Sequence, residues 1–425
     1  MQSLILLTNG YPYGTWETYL ETETQYYGKY FDHVYVISLQ VRKEHRSIKR
    51  MLPDSNFDNF KVDYKPRWVY LLNSFRALWD LNFYKEVLKL IKENRFTIGR
   101  FIRLVVFVTR SHYEAAQALH YLGTSVIDES GVLYSYRLEY QPYVAMLIQK
   151  KYPGYRIIAR GHGSDLFEWR NRDNYIPLRE TILSHINKVY LIADDGKRYL
   201  ENKYPLYAKK MEVSRLGTKE YGFPEIKRKK GYISIVSCSA VVAIKRIDLI
   251  VKALATIKDI EVVWTHFGDG PLIDQIKILC GHILPQNIHA DFKGFVQNET
   301  VLQEYNSGSY QIFLNVSSSE GVPVSIMEVM SFGIPCIATD VGGTGEIITD
   351  RKNGILLQAD FSISELAEWI RKFADMNEFE FQRYRLNAKG EWYDKYSAER
   401  NYESFCSEIA IIGDREQFVN EDSSR

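Results

Sequence analysis

The sequence predicts an α/β protein of two domains, each built on a parallel β-sheet. The chain has 425 residues, which is enough for two domains that each bury their own core. Short apolar runs typical of buried strands alternate with amphipathic stretches through both halves, as in parallel sheets covered by helices. The polar and basic stretch GTKEYGFPEIKRKKG interrupts this alternation at residues 217–231. We therefore expect this stretch to link the two domains.

Apolar runs predict six strands in each half. In the first half they are SLILLTN, HVYVISL, RLVVFV, TSVIDES, YRIIARG and KVYLIAD. In the second half they are YISIVSCS, IEVVWTHFG, IHADFKGFV, YQIFLNVS, PCIATD and GILLQA. Helices are predicted between them, for example over residues 75–93 and 248–257, where apolar residues recur at three- and four-residue steps. A helical stretch over residues 378–412 precedes the polar tail DREQFVNEDSSR.

Composition favours a cytoplasmic protein with no membrane span. The four cysteines are widely spaced and have no metal-ligand spacing, which favours reduced thiols. The opening MQSLILLTNG lacks the basic lead and the apolar length of a signal peptide. Residues 1–217 hold about 32 Lys and Arg against 23 Asp and Glu, and the remainder holds about 22 against 30. The basic half suits an anionic acceptor or peripheral contact with an acidic membrane, although a scattered excess without a patch explains it equally well.

The stretch SEGVPVSIMEVMSFGIPCIATDVGGTGEII, residues 319–348, is the most informative segment. It has the pattern strand, loop, helix, strand, with Glu320 in the loop and Glu328 two turns beyond Pro323. The first turn of a helix has free backbone N–H groups, which attract phosphate. A phosphate site beside two carboxylates that accept hydroxyl hydrogen bonds suits a nucleotide-sugar. Two glutamates alone are also compatible with a solvated helix face, and it is the whole stretch 319–348 that predicts a nucleotide-sugar site.

Four further motifs each follow a predicted strand, where parallel sheets bind their ligands. They are NGYPYGTWE at 9–17, ARGHGSD at 159–165, VSCSAVVAIKRID at 236–248 and THFGDGPL at 265–272. His162 lies between two glycines, so the backbone beside it is open to a ligand. Arg160 and Asp165 flank it as supporting residues, or as a simple ion pair. Lys245 offers a cation to a phosphate.

Together these motifs resemble the paired-glutamate signature of family-4 retaining glycosyltransferases, which belong to the glycosyl transferases group 1 and have the GT-B fold. The resemblance implies two Rossmann-like domains whose parallel sheets face each other across a cleft, with a C-terminal helix that crosses back to the first domain. It assigns acceptor binding to residues 1–217 and nucleotide-sugar binding to residues 218–390. Residues 391–425 would form the returning helix and the polar tail.

The resemblance also implies roles for individual residues. The catalytic group comprises Glu320, which contacts sugar hydroxyls, His162, which contacts the sugar or acceptor, and Lys245, which neutralises the diphosphate. Glu328 accepts both ribose hydroxyls. The remaining donor-binding residues are Gly321, Val322, Pro323, Val324, Arg246, Ser239, Gly268, Gly270 and Phe295. The loop between phosphate and acceptor contains Gly10, Gly14 and Glu17. One position departs from the family, because Ala240 stands where the family has an arginine.

The resulting hypothesis is a metal-independent retaining hexosyltransferase that needs no cofactor besides its donor, a UDP- or GDP-sugar. Its acceptor would be a saccharide or lipid-linked saccharide in the assembly of bacterial cell-surface polysaccharide or glycoconjugates. No nucleic acid is expected as a partner, and peripheral contact with an anionic membrane stays open. Two alternatives remain. A catalytically silent GT-B partner subunit is favoured by Ala240, and a sugar-nucleotide epimerase would use the same fold.

Overall fold

The computed structural model describes residues 2–72, 74–125 and 127–414, and the chain divides into two compact units. Unit 1 comprises Met1–Leu216 and Arg400–Arg425, and unit 2 comprises Gly217–Glu399. Each unit contains a parallel sheet with helices around it. The predicted α/β class with two Rossmann-like units is therefore confirmed.

The described residues of unit 1 form a seven-stranded parallel sheet in the order β3-β2-β1-β4-β5-β6-β7. Its strands are β1 (Ser3–Thr8), β2 (His33–Val41), β3 (Phe57–Asp63), β4 (Gly131–Ser135), β5 (Tyr155–Gly161), β6 (Lys188–Leu191) and β7 (Met211–Val213). Its first helices are α1 (Tyr19–Glu23), α2 (Arg67–Leu72), α3 (Leu81–Lys92), α4 (Ile98–Leu122), α5 (Gln141–Gln149), α6 (Arg179–His185) and α7 (Asp194–Lys203). Every residue of β1 is buried, because the central strand is covered on both faces.

Two of the strands predicted for this half are wrong. RLVVFV lies inside α4, whose buried residues recur at helical spacing over 25 residues, so the long amphipathic pattern outweighs the local strand propensity of the valines. TSVIDES forms no strand in its described residues, and the next strand begins at Gly131. The helix predicted over residues 75–93 is divided at Asp80 into a 3₁₀ turn, Ser74–Trp79, and α3.

The described residues of unit 2 form a six-stranded parallel sheet in the order β10-β9-β8-β11-β12-β13, and all six predicted strands are present. They are β8 (Tyr232–Cys238), β9 (Glu261–Phe267), β10 (Ile288–Gly294), β11 (Ile312–Asn315), β12 (Cys336–Thr339) and β13 (Gly354–Leu357). The helices are α8 (Ile247–Ala255), α9 (Ile273–Ile283), α10 (Asn298–Asn306), α11 (Val324–Ser331), α12 (Thr344–Ile347), α13 (Ile363–Asp375) and α14 (Glu378–Tyr396).

The chain returns to unit 1 in α15 (Ala398–Gly413). The ring of Phe405 packs 5.3 Å from that of Tyr134 and 4.9 Å from that of Tyr190. Trp392 lies within the predicted returning segment 391–425, but it belongs to α14 and to the core of unit 2. Extended backbone at Ser397 separates the two helices, so the crossing starts later than expected. The predicted polar tail from residue 415 lies outside the described residues.

Each sheet has one point where the strand order reverses. In unit 1 it lies between β1 and β4, and in unit 2 between β8 and β11. Ligands of open parallel sheets bind beyond the carboxyl ends of the strands at such a point. We therefore expect the loops that follow these four strands to form the ligand-binding sites of the two sheets. Among the described helices, none combines the length and the apolar character needed to cross a bilayer.

Candidate functional site

A lysine–glutamate pair lies at the reversal point of unit 2. Lys245 ends a 3₁₀ turn after β8, and Glu320 lies in the loop after β11. Lys245 Nζ is 2.6 Å from Glu320 Oε1, and the two side chains are 21% and 10% exposed. Asn315, the last residue of β11, donates a 3.2 Å hydrogen bond to the same carboxylate oxygen. The structure thus brings the predicted catalytic residues Lys245 and Glu320 together, and both side chains are largely buried.

The first turn of α11 follows this pair directly in the chain. Pro323 precedes the helix, and no side chain caps it. The N–H group of Gly343 donates to the Gly321 carbonyl at 2.6 Å, and a Cβ on Gly342 would come within 2.2 Å of the Glu320 carbonyl oxygen. The two glycines therefore let the loop after β12 press against residues 320–322. This contact fixes the loop that carries Glu320 and leads into the uncapped helix start.

Glu328 lies in the second turn of α11, five residues after Pro323. Its Oε1 accepts a 3.0 Å hydrogen bond from Asn298 Nδ2 at the start of α10. Burial raises the pKa of Glu328 to about 7, against the opposing effect of the Asn298 hydrogen bond. Hydrogen bonds donated by ligand hydroxyls, in place of water, would favour the ionised form of this carboxyl group, which is the better acceptor.

The two glycines of THFGDGPL are required by packing. Gly268 has φ +133°, and a Cβ there would lie 1.9 Å from the carbonyl oxygen of Ser239. A Cβ on Gly270 would lie 2.5 Å from the carbonyl oxygen of Val241. The loop after β9 therefore rests against the loop after β8. Phe295, predicted to border the donor base, is 72% exposed.

The Arg246 side chain is engaged in hydrogen bonds to the backbone of the protein. Its guanidinium donates to the carbonyls of Val316, Ser317 and Ala359, at 2.6, 3.1 and 2.6 Å respectively. Its backbone has a left-handed φ of 51° at the N-cap of α8. Arg246 thus ties the loop after β11 to the loop after β13. In the described residues, the cation beside Glu320 is Lys245.

In unit 1, Glu17 organises the loop after β1. Its carboxylate accepts hydrogen bonds from the N–H groups of Asn9, Gly10 and Tyr11, at 3.0, 3.0 and 3.1 Å. The side chain is fully buried. Gly14 has φ +72°, and a Cβ there would lie 2.8 Å from the ring of His45. The three predicted loop residues therefore lie together, and Glu17 shapes the loop from inside.

His162 is held by Asp165 after β5. Its Nδ1 is 3.3 Å from an Asp165 carboxylate oxygen, and its ring centroid is 4.7 Å from that of Tyr136. Burial disfavours the ionised form of Asp165, but the hydrogen bond from His162 and the charge of Arg137 outweigh it and hold the Asp165 pKa well below its usual range. His162 Nε2 has no hydrogen-bond partner among the described residues. This nitrogen is buried and unpaired in the described structure.

Several site residues were not anticipated from the sequence. Arg137 lies just after β4, with its Nε 3.5 Å from Glu17, and it belongs to no motif. Asn298 and Asn315 likewise gave no signal. The suggested ion pair between Arg160 and Asp165 is wrong. Arg160 instead pairs with Glu23 at 2.6 Å, and both side chains are completely buried. These partners lie on different elements, so spacing along the chain carried no trace of them.

Comparison with known sequences assigns the second unit to a family. The family model of glycosyl transferases group 1 matches residues 219–390. The chain is 24% identical over 336 residues to an uncharacterized glycosyltransferase of Methanocaldococcus jannaschii, covering 77% of this chain and 89% of that protein. It is also 24% identical over 241 residues to the GtfA subunit of the UDP-N-acetylglucosamine–peptide N-acetylglucosaminyltransferase of Streptococcus parasanguinis, covering 54% of this chain and 45% of that protein.

Solved structures share the fold of the whole chain. The lipopolysaccharide outer core galactosyltransferase WaaB matches with a TM-score of 0.66 at 13% identity, covering 97% of this chain and 99% of that one. Residues 219–390 belong to the glycosyl transferases group 1, and the chain has the GT-B fold. Anabaena HepE in complex with UDP and glucose matches this chain with a TM-score of 0.61 at 12% identity, covering 96% of this chain and 100% of that one.

Unit 1 contains a cavity of about 430 Å³. Its lining includes Tyr64, Tyr70 and Tyr140, with Arg110 from α4. The Arg110 guanidinium carbon lies 4.2 Å from the centroid of the Tyr140 ring, and Arg110 Nε donates to Glu114 at 2.9 Å. Arg110 Nη2 has no hydrogen-bond partner among the described residues. The cavity lining therefore combines aromatic faces with an arginine that has one buried, unpaired donor.

A hydrogen-bonded chain connects this cavity to the loop after β1. Gln40 Nε2 lies 2.5 Å from the Tyr140 hydroxyl and 3.1 Å from the Asn9 side-chain oxygen. Gln141 also donates to that oxygen of Asn9. In the described part of the chain, no group of three or more His, Cys, Asp or Glu side chains is arranged to hold a metal.

Proposed function

We propose that this protein is a glycosyltransferase that moves a sugar, with retention of anomeric configuration, from a nucleoside-diphosphate sugar to an acceptor hydroxyl. Unit 2 would hold the donor and unit 1 the acceptor. The observation that carries the proposal is the Lys245–Glu320 pair at 2.6 Å beside the uncapped start of α11. A lysine ammonium and free backbone N–H groups suit a diphosphate, and a carboxylate next to them suits sugar hydroxyls.

The donor residues have distinct roles in this proposal. Lys245 neutralises the diphosphate. Hydrogen bonds to it come from the backbone N–H groups of Gly321, Val322 and Val324 and of their neighbours at the start of α11. Glu328 accepts the two ribose hydroxyls, which add hydrogen bonds to a carboxyl group whose pKa burial has raised. Gly268 and Gly270 let the loop near the base pack closely. UDP is the nucleotide present in the HepE complex, which supports a UDP-sugar as the first donor to test.

The proposed reaction breaks the bond between the anomeric carbon and the diphosphate oxygen, and the nucleoside diphosphate leaves with the electron pair. The acceptor oxygen then bonds to the anomeric carbon from the same face. Its proton passes to an oxygen of the leaving phosphate. Lys245 stabilises the charge that develops on the diphosphate, and Glu320 holds the sugar through its hydroxyls. His162 Nε2 is the proposed polar contact to the sugar or the acceptor.

The acceptor is proposed to be a saccharide or lipid-linked saccharide that enters the cavity of unit 1. Tyrosine faces such as Tyr64 and Tyr140 suit the apolar faces of sugar rings, and Arg110 Nη2 suits a sugar oxygen. WaaB acts in lipopolysaccharide outer core assembly, which supports a role in bacterial cell-surface polysaccharide or glycoconjugate assembly. The four cysteines are free thiols, which supports a cytoplasmic location.

The test has two stages. Thermal shift with UDP- and GDP-sugars identifies the donor, since a ligand at 100 times its Kd stabilises by roughly 2.7 kcal/mol. Donor turnover is then measured with and without saccharide acceptors, and NMR of the product reads its anomeric configuration. Inversion would reject the retaining mechanism. Metal independence is proposed as well, and a rate abolished by EDTA and restored by Mg²⁺ would reject it.

One specific observation favours a second candidate function. Ala240 stands where the family has a cation, and Arg246 is engaged by backbone carbonyls. A phosphate site with fewer cations would suit a catalytically silent partner subunit. Donor binding without turnover, for every acceptor, would favour that function. An altered sugar on the recovered nucleotide would instead indicate an epimerase.

A further inference from the structure

One surface of unit 1 exposes apolar side chains on a scale that no other segment of the described chain matches. Among the described residues, 27 large apolar side chains are exposed, and twelve of these lie between positions 68 and 102, a stretch that contains α2, the following 3₁₀ turn, α3 and the start of α4. Trp79 is 86% exposed, Leu81 74% and Ile98 76%. Contiguous exposed apolar surface of this kind marks a site of interaction with a protein or a membrane.

Helix α3 has two apolar stripes. Phe83 and Leu90 face the core of unit 1. On the solvent side Leu81, Tyr84, Leu88 and Ile91 follow each other at steps of three and four residues and are 44–74% exposed. We call these four residues and Trp79 the apolar face. A second stripe at helical spacing has no core to pack against, so it is unexplained by the folding of unit 1.

The apolar face is held in place as one surface. Asp80 is buried and caps α3 by accepting from the Asn82 N–H group at 3.0 Å. The same carboxylate receives hydrogen bonds from His112 and Tyr143, at 2.6 and 2.7 Å. The Tyr84 hydroxyl donates to the Leu78 carbonyl at 2.9 Å, which ties the turn that carries Trp79 to α3.

The exposed charges of α3 itself, beside the apolar face, are positive. Lys85 and Lys92 lie two helical turns apart, next to Leu88, and both are exposed. Lys89 is engaged by Glu180. The one acidic residue of α3, Glu86, is buried and accepts a hydrogen bond from Tyr175. Lysines beside leucine, isoleucine and tryptophan form the combination that lies in the headgroup region of an anionic bilayer.

We propose that the apolar face docks unit 1 on the surface of a membrane containing anionic lipid. Leu81, Leu88 and Ile91 enter the boundary between headgroups and acyl chains, Trp79 sits at that boundary, and Lys85 and Lys92 contact lipid phosphates. A bilayer fits better than a second copy of the chain, because a two-fold contact through this face would bring the same lysines together. The proposal is independent of sugar transfer, which concerns other residues.

Cosedimentation of the full chain with vesicles tests the proposal. Vesicles of phosphatidylcholine alone are compared with vesicles containing three parts in ten of phosphatidylglycerol. The wild-type protein is expected to bind the anionic vesicles, and Leu88→Glu/Ile91→Glu to lower the partition constant at least tenfold. Lys85→Gln/Lys92→Gln is expected to lower it several-fold and to weaken its dependence on salt. The matched control is Leu206→Glu, which changes a residue that is 85% exposed elsewhere in unit 1 and should bind normally.

Three results would overturn the proposal. The first is wild-type protein that stays in the supernatant with anionic vesicles at millimolar lipid. The second is binding by Leu88→Glu/Ile91→Glu that equals that of the wild type. The third is a wild-type dimer in light scattering that this double variant dissociates, because the face would then belong to a second copy. Nucleotide-sugar binding, measured by thermal shift without vesicles, should be the same in all variants, so failure here is distinct from failure of the proposed function.

Discussion

Replacing Glu320 with glutamine is expected to tighten the binding of nucleoside diphosphate while it removes turnover. Lys245 Nζ lies 2.6 Å from Glu320 Oε1, so a diphosphate must compete with this carboxylate for the lysine. Glutamine keeps the shape of the side chain and removes its charge. The lysine is then free to pair with phosphate, and one negative charge near the diphosphate is gone.

The size of the effect follows from how sheltered the pair is. The side chains are 21% and 10% exposed, between a surface pair and a buried one. Exposed pairs contribute about 0.2–1 kcal/mol, and breaking a buried pair costs about 3–5 kcal/mol. We therefore expect the pair to oppose diphosphate binding by about 1–2 kcal/mol, so that Kd falls about 5- to 30-fold in Glu320→Gln. Turnover should fall by a factor on the order of 100 or more, because a contact made to the reacting sugar is lost.

Isothermal titration with the preferred nucleoside diphosphate measures the affinity, and initial rates with donor and acceptor measure turnover. Asp259→Asn is the matched control, since it removes the same charge from an ion pair with Arg371 elsewhere in unit 2. An unchanged or weaker affinity of Glu320→Gln, in a protein that melts normally, would refute the reasoning. So would Lys245→Ala binding the diphosphate as tightly as the wild type.

Three further predictions concern other parts of the molecule. Because burial raises the pKa of Glu328 to about 7 and the ionised carboxylate is the better acceptor for ribose hydroxyls, nucleotide affinity should fall as pH drops below about 7; titrations should find no such inflection in Glu328→Gln. Arg160→Met leaves the carboxylate of Glu23 buried without its cation and should lower the free energy of unfolding in urea by about 3–5 kcal/mol; Arg160→Met/Glu23→Gln should recover part of this loss, and no recovery would contradict the assignment. Gly268→Ala places a Cβ 1.9 Å from a carbonyl oxygen at φ +133°, so it should weaken nucleotide binding and cost about 1–3 kcal/mol of stability; a normal melting temperature and a normal Kd would speak against this close approach.

Local sequence patterns were sufficient to predict the strands of unit 2, and they predicted those of unit 1 less well. The six strands of unit 2 are short apolar runs bounded by turn residues, and each is where the pattern predicts it. In unit 1 the run RLVVFV misled, because valines favour a strand locally while the helical spacing of the buried residues over all of α4 decided otherwise. Strand β3 has mixed burial, and β7 has three residues, so neither presents a clear apolar run.

In the candidate site, likewise, the sequence predicts some features and not others. Glu320, Glu328 and Lys245 follow strands, and sequence motifs were enough to single them out. Which side chains they contact depends on the order of strands in the sheet, and that order is set by crossovers that the local sequence does not encode.

The sequence by itself determined the fold class, the division into two parallel-sheet units and the residues that follow the strand ends, because apolar periodicity and turn chemistry are local properties. Only the tertiary structure decided the partners. It brought Lys245 to Glu320 across 75 residues and Arg160 to Glu23 across 137, and it turned Arg246 onto backbone carbonyls although Lys245 precedes it directly. It also decided that one apolar stripe of α3 faces the core and the other faces solvent. These outcomes depend on which surfaces pack against each other in the folded units, and the order of residues along the chain alone does not specify that.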